Sequence, residues 1–138
     1  YENLFHDMDS TFVTDFIERT QVQTFDAHAV VVRQDDDGDS FYIVKDGAVD
    51  VLVRDDLNHR DVTVTTLKKH QYFGEVALLD VTQSRRHATI TTRETTTLIQ
   101  IKKEDFLELV KRHPRFESVL RNRMKKSLQQ NKNIANKQ

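Results

Sequence analysis

The chain has no cysteine and no tryptophan, and only one proline and three glycines among its 138 residues. Without cysteine, disulfide bonds and thiol chemistry are excluded. No apolar run approaches the ~20 residues that a membrane-spanning helix needs, and no signal peptide opens the sequence. The remaining composition, rich in charge of both signs, is typical of a soluble globular domain and fits a cytoplasmic protein.

Motifs of hydrolytic and metal-dependent enzymes are also missing. The nucleophile pattern Gly-x-Ser-x-Gly does not occur, and the six histidines form no closely spaced pair of ligands, which disfavours a metal-binding cupin. The acidic run DDDGD at 35–39 fails as a calcium loop, because an EF-hand with Gly38 at its sixth position would begin at Arg33. We therefore expect a solvated turn there, no metal, no cofactor and no enzymatic activity.

Charge is unevenly distributed along the chain. Residues 1–64 carry 15 acidic against 5 basic residues, whereas residues 111–138 carry 9 lysines and arginines against one acid. Such a basic tail either docks on an acidic surface, its own or a partner's, or is a solvated helix with a frayed end.

Hydrophobic spacing divides the chain into helix, strands and helix again. Short runs rich in Val, Ile and Thr, separated by turn residues, fill residues 22–101 and are typical of antiparallel strands. Helical spacing is found at residues 10–19, after a capping Asp9 or Ser10, and at 104–112 and 115–130, on either side of Pro114. A short helix at 76–80 is expected to interrupt the strands.

The predicted fold is mainly β with flanking α. It is an eight-stranded, jelly-roll-like β-roll at about 22–101, with an N-terminal helix, a short internal helix and two C-terminal helices. Residues 1–138 are expected to form a single domain, and the missing initial methionine indicates a piece of a longer protein. Asp46-Gly47 predicts a tight hairpin turn, and the alternation after it places Val49, Val51 and Val53 on one face.

The stretch FGEVALLDVTQSRRHAT at 73–89 combines a Gly-Glu step with an Arg-Arg step. The free N–H groups that start a short helix, a close backbone approach at Gly74 and an arginine together favour a phosphate. Glu75 would repel that phosphate, so its role would be to accept hydrogen bonds from a hydroxyl of the same ligand, as a ribose provides. The alternative is that Glu75 and Arg86 simply pair with each other across the turn.

The same stretch resembles the phosphate-binding cassette of the cyclic nucleotide-binding domain family. That cassette reads roughly Phe-Gly-Glu-x-Ala-Leu-Leu, a short loop, and then Arg-x-Ala-Thr/Ser, which this chain matches at 73–79 and 86–89. The segment GDSFYIVKDGAVDV at 38–51 is similar to a hairpin of the family. The leading helix and the two trailing helices also agree in order, so the resemblance covers about residues 10–130.

The resemblance implies a role for each cassette residue. Glu75 would hold the ribose 2′-hydroxyl and Arg86, in preference to Arg85, the cyclic phosphate. The other implied ligand-binding residues are Gly74, Val76, Ala77, His87 and Ala88, with backbone N–H groups of Ala77 and His87 on the phosphate. Val76, Leu78 and Leu79 would form a moving apolar hinge, and Leu120, Met124 or Leu128 would contact the base as a lid.

The resemblance further implies a sensor of cAMP or cGMP that controls an attached effector, such as a protein kinase or a cation channel. His87 stands where the family often distinguishes the two nucleotides by Thr or Ala, so the base preference stays open. The loop before Arg86 is slightly longer than in kinase regulatory subunits. Two alternatives remain: the sensor arm of a DNA-binding transcription regulator, although no helix-turn-helix precedes Gln138, or a domain that no longer binds cyclic nucleotides. No nucleic acid and no membrane segment are expected within these residues.

Overall fold

A computed structural model of the protein describes residues 8–79 and 85–136, with the backbone alone for 127–136. The elements follow the order helix, strands, short helix, strands and two helices. They are α1 (Ser10–Glu18), β1 (Gln21–Phe25), β2 (Val30–Val32), β3 (Ser40–Asp46), β4 (Ala48–Asp55), β5 (Arg60–Lys68), β6 (Tyr72–Phe73), α2 (Glu75–Leu79), β7 (Thr89–Thr92), β8 (Thr96–Lys102), α3 (Lys103–Arg112) and α4 (Pro114–Asn136). This confirms the predicted mainly β fold with its four helices.

The eight strands form two four-stranded sheets. One has the order β1-β8-β3-β6 and the other β2-β7-β4-β5, and all the pairings are antiparallel. The second sheet and the short helix α2 form the surroundings of the site described below.

The predicted hairpin at Asp46-Gly47 is wrong. The turn exists, with Gly47 at φ +98°, but β3 and β4 belong to different sheets and do not pair. At Gly47 the chain crosses from one sheet to the other. It passes so close to Thr96 that a Cβ at this position would lie 2.6 Å from Thr96 Oγ1. Local turn chemistry therefore identified the bend correctly, while the partner strands were chosen by long-range packing.

Four phenylalanines join the helices to the first sheet. Phe12 of α1 and Phe116 of α4 have ring centres 4.8 Å apart, and Phe41 of β3 lies 5.0 Å from Phe106 of α3. All four side chains are at most 1% exposed. Burial of such large side chains contributes roughly 1.5–3 kcal/mol each, so this cluster fixes the three outer helices against the roll.

Polar contacts fix α1 to the joint between α3 and α4. Asp9 caps α1, where its Oδ1 accepts a hydrogen bond from the Phe12 N–H at 2.9 Å. Farther along α1, Asp15 Oδ2 lies 3.0 Å from His113 Nε2, and Asp15 Oδ1 lies 3.2 Å from Arg19. The hydrogen bond from His113 is the main cause that lowers the pKa of Asp15. His113 ends α3 immediately before α4, so the contact ties the N-terminal helix to this joint.

None of the helices in the described part of the chain combines the length and the apolar character that crossing a bilayer requires. The described residues also contain no group of three or more His, Asp or Glu side chains placed to hold a metal ion.

Candidate ligand-binding site

A cavity of about 250 Å³ lies between the second sheet and the segment that joins β6 to α2. The sheet supplies an aliphatic wall, made by Val32, Val51, Val53, Val64, Leu67 and Ile90. Of the three residues on the predicted face of β4, Val51 and Val53 line the cavity, whereas Val49 is fully buried in an apolar cluster. All seven residues expected to bind ligand line the same cavity: Gly74, Glu75, Val76, Ala77, Arg86, His87 and Ala88.

At Gly74 the backbone of the cavity wall packs closely against neighbouring atoms. Its φ is +101°, a conformation that side chains with a Cβ rarely adopt. A Cβ at this position would lie 2.6 Å from Arg86 Nη1 and 2.8 Å from the Ser40 carbonyl oxygen. Glycine is therefore required both by the backbone turn and by the side chain that packs against it.

Arg86 is almost fully buried, with 4% of the residue exposed. Its Nη2 donates a hydrogen bond of 2.7 Å to the Ser40 carbonyl oxygen, and its Nη1 lies 3.4 Å from the Gly74 carbonyl oxygen. The carboxylate of Asp39, itself exposed, is 3.5 Å from Nη2. Burial lowers the pKa of Arg86. The guanidinium is thus oriented by backbone carbonyls and lies 5.9 Å from the centre of the Tyr42 ring, and its only ion-pair partner among the described residues is the solvated carboxylate of Asp39.

The backbone on either side of Arg86 is fixed as well. The Arg86 N–H donates to the Asp36 carbonyl at 2.7 Å, and the Asp35 N–H donates to the Arg86 carbonyl at 2.9 Å. Asp37 and Arg85 form an isolated antiparallel bridge next to these bonds. The backbone of the acidic turn at 35–39 therefore holds the backbone of Arg86 in place.

Glu75 is the first residue of α2 and turns its carboxylate into the cavity wall. Its Oε2 is buried and has no hydrogen-bond partner among the described residues. Burial raises the pKa of Glu75 to about 7, an effect that the charge of Arg86 reduces. The two side chains form no ion pair within 4 Å, so the alternative in which Glu75 and Arg86 simply neutralise each other does not describe this site.

Tyr72 connects the cavity to the last helix. The guanidinium carbon of Arg123, in α4, lies 5.7 Å from the centre of the Tyr72 ring, a cation–π contact. Burial and the neighbouring charge of Glu75 raise the pKa of Tyr72 to about 12. Arg123 was not predicted from the sequence to lie near the site, although it is three residues after Leu120 and so on the same face of α4.

The family model of the cyclic nucleotide-binding domain matches residues 22–113, which is two thirds of the chain. The chain belongs to the cyclic nucleotide-binding domain family. Within this cyclic nucleotide-binding domain, the match includes both sheets, α2 and the whole cavity wall.

Relatives of the domain occur in several kinds of protein. The chain is 27% identical to the human cyclic nucleotide-gated channel alpha-2 over 124 residues, which covers 87% of the chain and 18% of the channel. It is 36% identical to the cAMP-dependent protein kinase regulatory subunit of Schizosaccharomyces pombe over 90 residues, 65% of the chain and 20% of the subunit. The domain thus spans about a fifth of the length of these relatives.

A solved structure with the same fold is that of the Thermus thermophilus catabolite activator protein. The TM-score is 0.82 at 27% identity, and the alignment covers 92% of this chain and 58% of that one. The β-roll with its flanking helices is therefore shared with a regulator of a different kind from the channel and the kinase subunit.

Apart from Val76, the described residues expected to form the hinge and the lid do not line the cavity. Leu78 and Leu79 are buried in the same apolar cluster as Leu120, which is fully buried and does not line the cavity. Met124 is half-buried and also does not line the cavity, and the side chain of Leu128 lies outside the described residues. Contact of these α4 residues with a ligand stays a prediction.

Several lining residues were not anticipated from the sequence. These are the aliphatic residues of β2, β5 and β7, together with Thr65 of β5. Strand pairing brings them to the cavity. Only the alternation in β4 carried a signal for this wall. The Ser40 carbonyl, which accepts from Arg86, has no signal in the sequence, because any residue type supplies a carbonyl.

Proposed function

We propose that this domain binds a cyclic nucleotide, cAMP or cGMP, in the 250 Å³ cavity and thereby controls an attached effector. The domain itself catalyses no reaction in this proposal and acts in the cytoplasm. One observation carries the proposal: a buried guanidinium and a carboxylate with one buried oxygen, Oε2, that has no partner among the described residues line one cavity whose opposite wall is aliphatic. Such a cavity suits a ligand with an anionic end, a hydroxyl and an apolar face.

Each group has a chemical role that fits this ligand. The Arg86 guanidinium has donors beyond the one used on Ser40, and a cyclic phosphate would receive a charge-assisted hydrogen bond from it. The Glu75 carboxylate would accept a hydrogen bond from the ribose 2′-hydroxyl, which satisfies the buried Oε2. The aliphatic wall from β4, β5 and β7 would pack against the face of the purine.

Transmission to the effector would begin at α2. This helix contacts both α4 and β3, and its Leu78 and Leu79 are buried in the cluster that also holds Leu120 of α4. A ligand that draws α2 toward the phosphate would therefore shift the packing of α4. The shift requires that the ligand bind the moved arrangement more tightly than the present one.

The relatives support a protein kinase or a cation channel as the effector. The similarity to the Thermus thermophilus protein also supports the alternative of a sensor arm in a transcription regulator. The presence of both Glu75 and Arg86 in one cavity argues against a domain that has lost ligand binding.

Isothermal titration calorimetry with cAMP, cGMP and adenosine tests the proposal. We expect binding of at least one cyclic nucleotide and much weaker binding of adenosine, which lacks the phosphate. Arg86→Ala and Glu75→Ala are each expected to weaken binding by about 1.5–3 kcal/mol, the usual worth of hydrogen bonds to charged groups.

Arg85→Ala is the matched control, because Arg85 is the adjacent arginine but is exposed. It should leave the affinity nearly unchanged. Equal and negligible heats for all three ligands, or an Arg85→Ala effect as large as that of Arg86→Ala, would contradict the proposal.

A further inference from the structure

The side chain of Tyr42 lies outside the cavity, against the guanidinium of Arg86. Tyr42 belongs to β3 and is 6% exposed, and it is not among the described residues that line the cavity. The guanidinium carbon of Arg86 lies 5.9 Å from the centre of the Tyr42 ring, which is within the range of a cation–π contact. Tyr42 therefore contacts the arginine from the protein side, whereas a ligand would contact it from the cavity.

The Tyr42 ring is itself held by the strands on either side of β3. Tyr42 pairs with Phe73 of β6, and residues directly opposite in an antiparallel pair point to the same face. The two rings are stacked, with centres 5.0 Å apart and an angle of 18° between their planes. On the other side, Tyr42 pairs with Gln100 of β8. The ring therefore has neighbours on both sides within the first sheet, which restricts its orientation.

An aromatic face stabilises a buried cation and still leaves its charge free for a ligand. A buried carboxylate beside Arg86 would also stabilise the guanidinium, but it would compete with an incoming phosphate for the same N–H donors. Among the described residues, the only carboxylate within ion-pair distance is that of Asp39, at 3.5 Å from Nη2, and its side chain is 83% exposed. A cation–π contact is strongest where water is excluded, and Arg86 is 4% exposed.

We propose that Tyr42 is a positioning residue for ligand binding, whose ring holds the Arg86 guanidinium toward the cavity so that a phosphate meets a pre-ordered cation. This inference rests on the proposed function. When the attraction of the ring is weakened, the guanidinium turns toward solvent and the carboxylate of Asp39. The apparent affinity then falls in proportion to the fraction of molecules that keep the arginine in the competent position. Tyr42 thus affects the affinity for a phosphate that it does not contact.

The test weakens the attraction of the ring for a cation and nearly keeps its shape. Tyr42 is replaced by phenylalanine and then by mono-, di- and trifluorinated phenylalanine, because each fluorine withdraws negative charge from the face of the ring. Calorimetry measures the affinity for whichever of cAMP and cGMP the parent protein binds more tightly. Relative to Tyr42→Phe, we expect the affinity to fall with each added fluorine, by roughly three- to thirtyfold over the series.

Two controls separate positioning from packing. In the Arg86→Ala background the cation is gone, so the same series should change the affinity by less than about twofold. Phe41 is the preceding residue of β3, and its fully buried ring lies 5.0 Å from that of Phe106 in α3. The same fluorinated residues at position 41 should leave the affinity within about twofold of the parent value, because this ring packs among the helices.

An affinity that does not change with fluorination at Tyr42 would overturn the positioning role while leaving the proposed function intact. So would a loss that persists in the Arg86→Ala background, or an equal loss from fluorination at Phe41. If the parent protein binds neither cyclic nucleotide, the proposed function itself fails, and the role of Tyr42 fails with it.

Discussion

Glu75→Gln is expected to stabilise the ligand-free domain at pH 8 much more than at pH 5. One carboxylate oxygen of Glu75, Oε2, is buried and has no hydrogen-bond partner among the described residues, and burial raises the pKa of Glu75 to about 7 from an ordinary 4.5. The folded domain therefore holds a proton that the unfolded chain releases between these two values. Because the folded state binds more protons there, the free energy of unfolding falls as the pH rises.

The magnitude follows from the size of the shift. Each pKa unit corresponds to 1.36 kcal/mol, so the full cost of ionising Glu75 in the folded domain is ~3 kcal/mol above pH 7 and nearly zero below pH 4. Glutamine carries no charge at any pH. The stability of Glu75→Gln relative to the parent protein should therefore increase by ~2–3 kcal/mol between pH 5 and pH 8.

Urea unfolding of both proteins at pH 5, 6, 7 and 8 measures this difference. Glu104→Gln is the matched control, because Glu104 is an exposed carboxylate in the first turn of α3, whereas Glu75, in the first turn of α2, has a buried Oε2. A difference between Glu75→Gln and the parent that stays constant with pH would refute the reasoning. So would a parent protein that gains stability over the variant as the pH rises.

Two further predictions concern the positions that hold the site and the helices. Gly74→Ala is expected to cost at least ~1–3 kcal/mol in urea unfolding, because alanine is strained at φ +101° and its Cβ would meet Arg86 and Ser40; unchanged stability would contradict the close approach. Asp15→Asn should lower the free energy of unfolding by ~1 kcal/mol at pH 7, since the pKa of Asp15 is lowered mainly by its hydrogen bond with His113. The stability that Asp15 contributes should fade as the pH falls below 3.8. An Asp15→Asn variant as stable as the parent at pH 7 would show that the contact between α1 and the α3–α4 joint contributes nothing.

Most of the strands and helices were predictable because their signals are local. Alternation in β4 correctly identified Val51 and Val53 as facing the same side. The helical spacing predicted for residues 115–130 places Phe116 and Leu120 on one face, and both are fully buried. The capping Asp9 was also predictable, because an N-cap bond joins residues only three apart.

The sequence by itself determined the composition of the site, because a Gly-Glu step and an arginine in one cassette are local and chemically specific. Only the tertiary structure decided what surrounds them. Strand pairing placed Thr65 opposite Val51 on the cavity side of the second sheet, and it sent the chain after Gly47 into the other sheet. A contact such as Asp15–His113 joins residues 98 positions apart. No local pattern encodes such a contact, because it depends on the packing of whole elements rather than on the conformational preference of either residue.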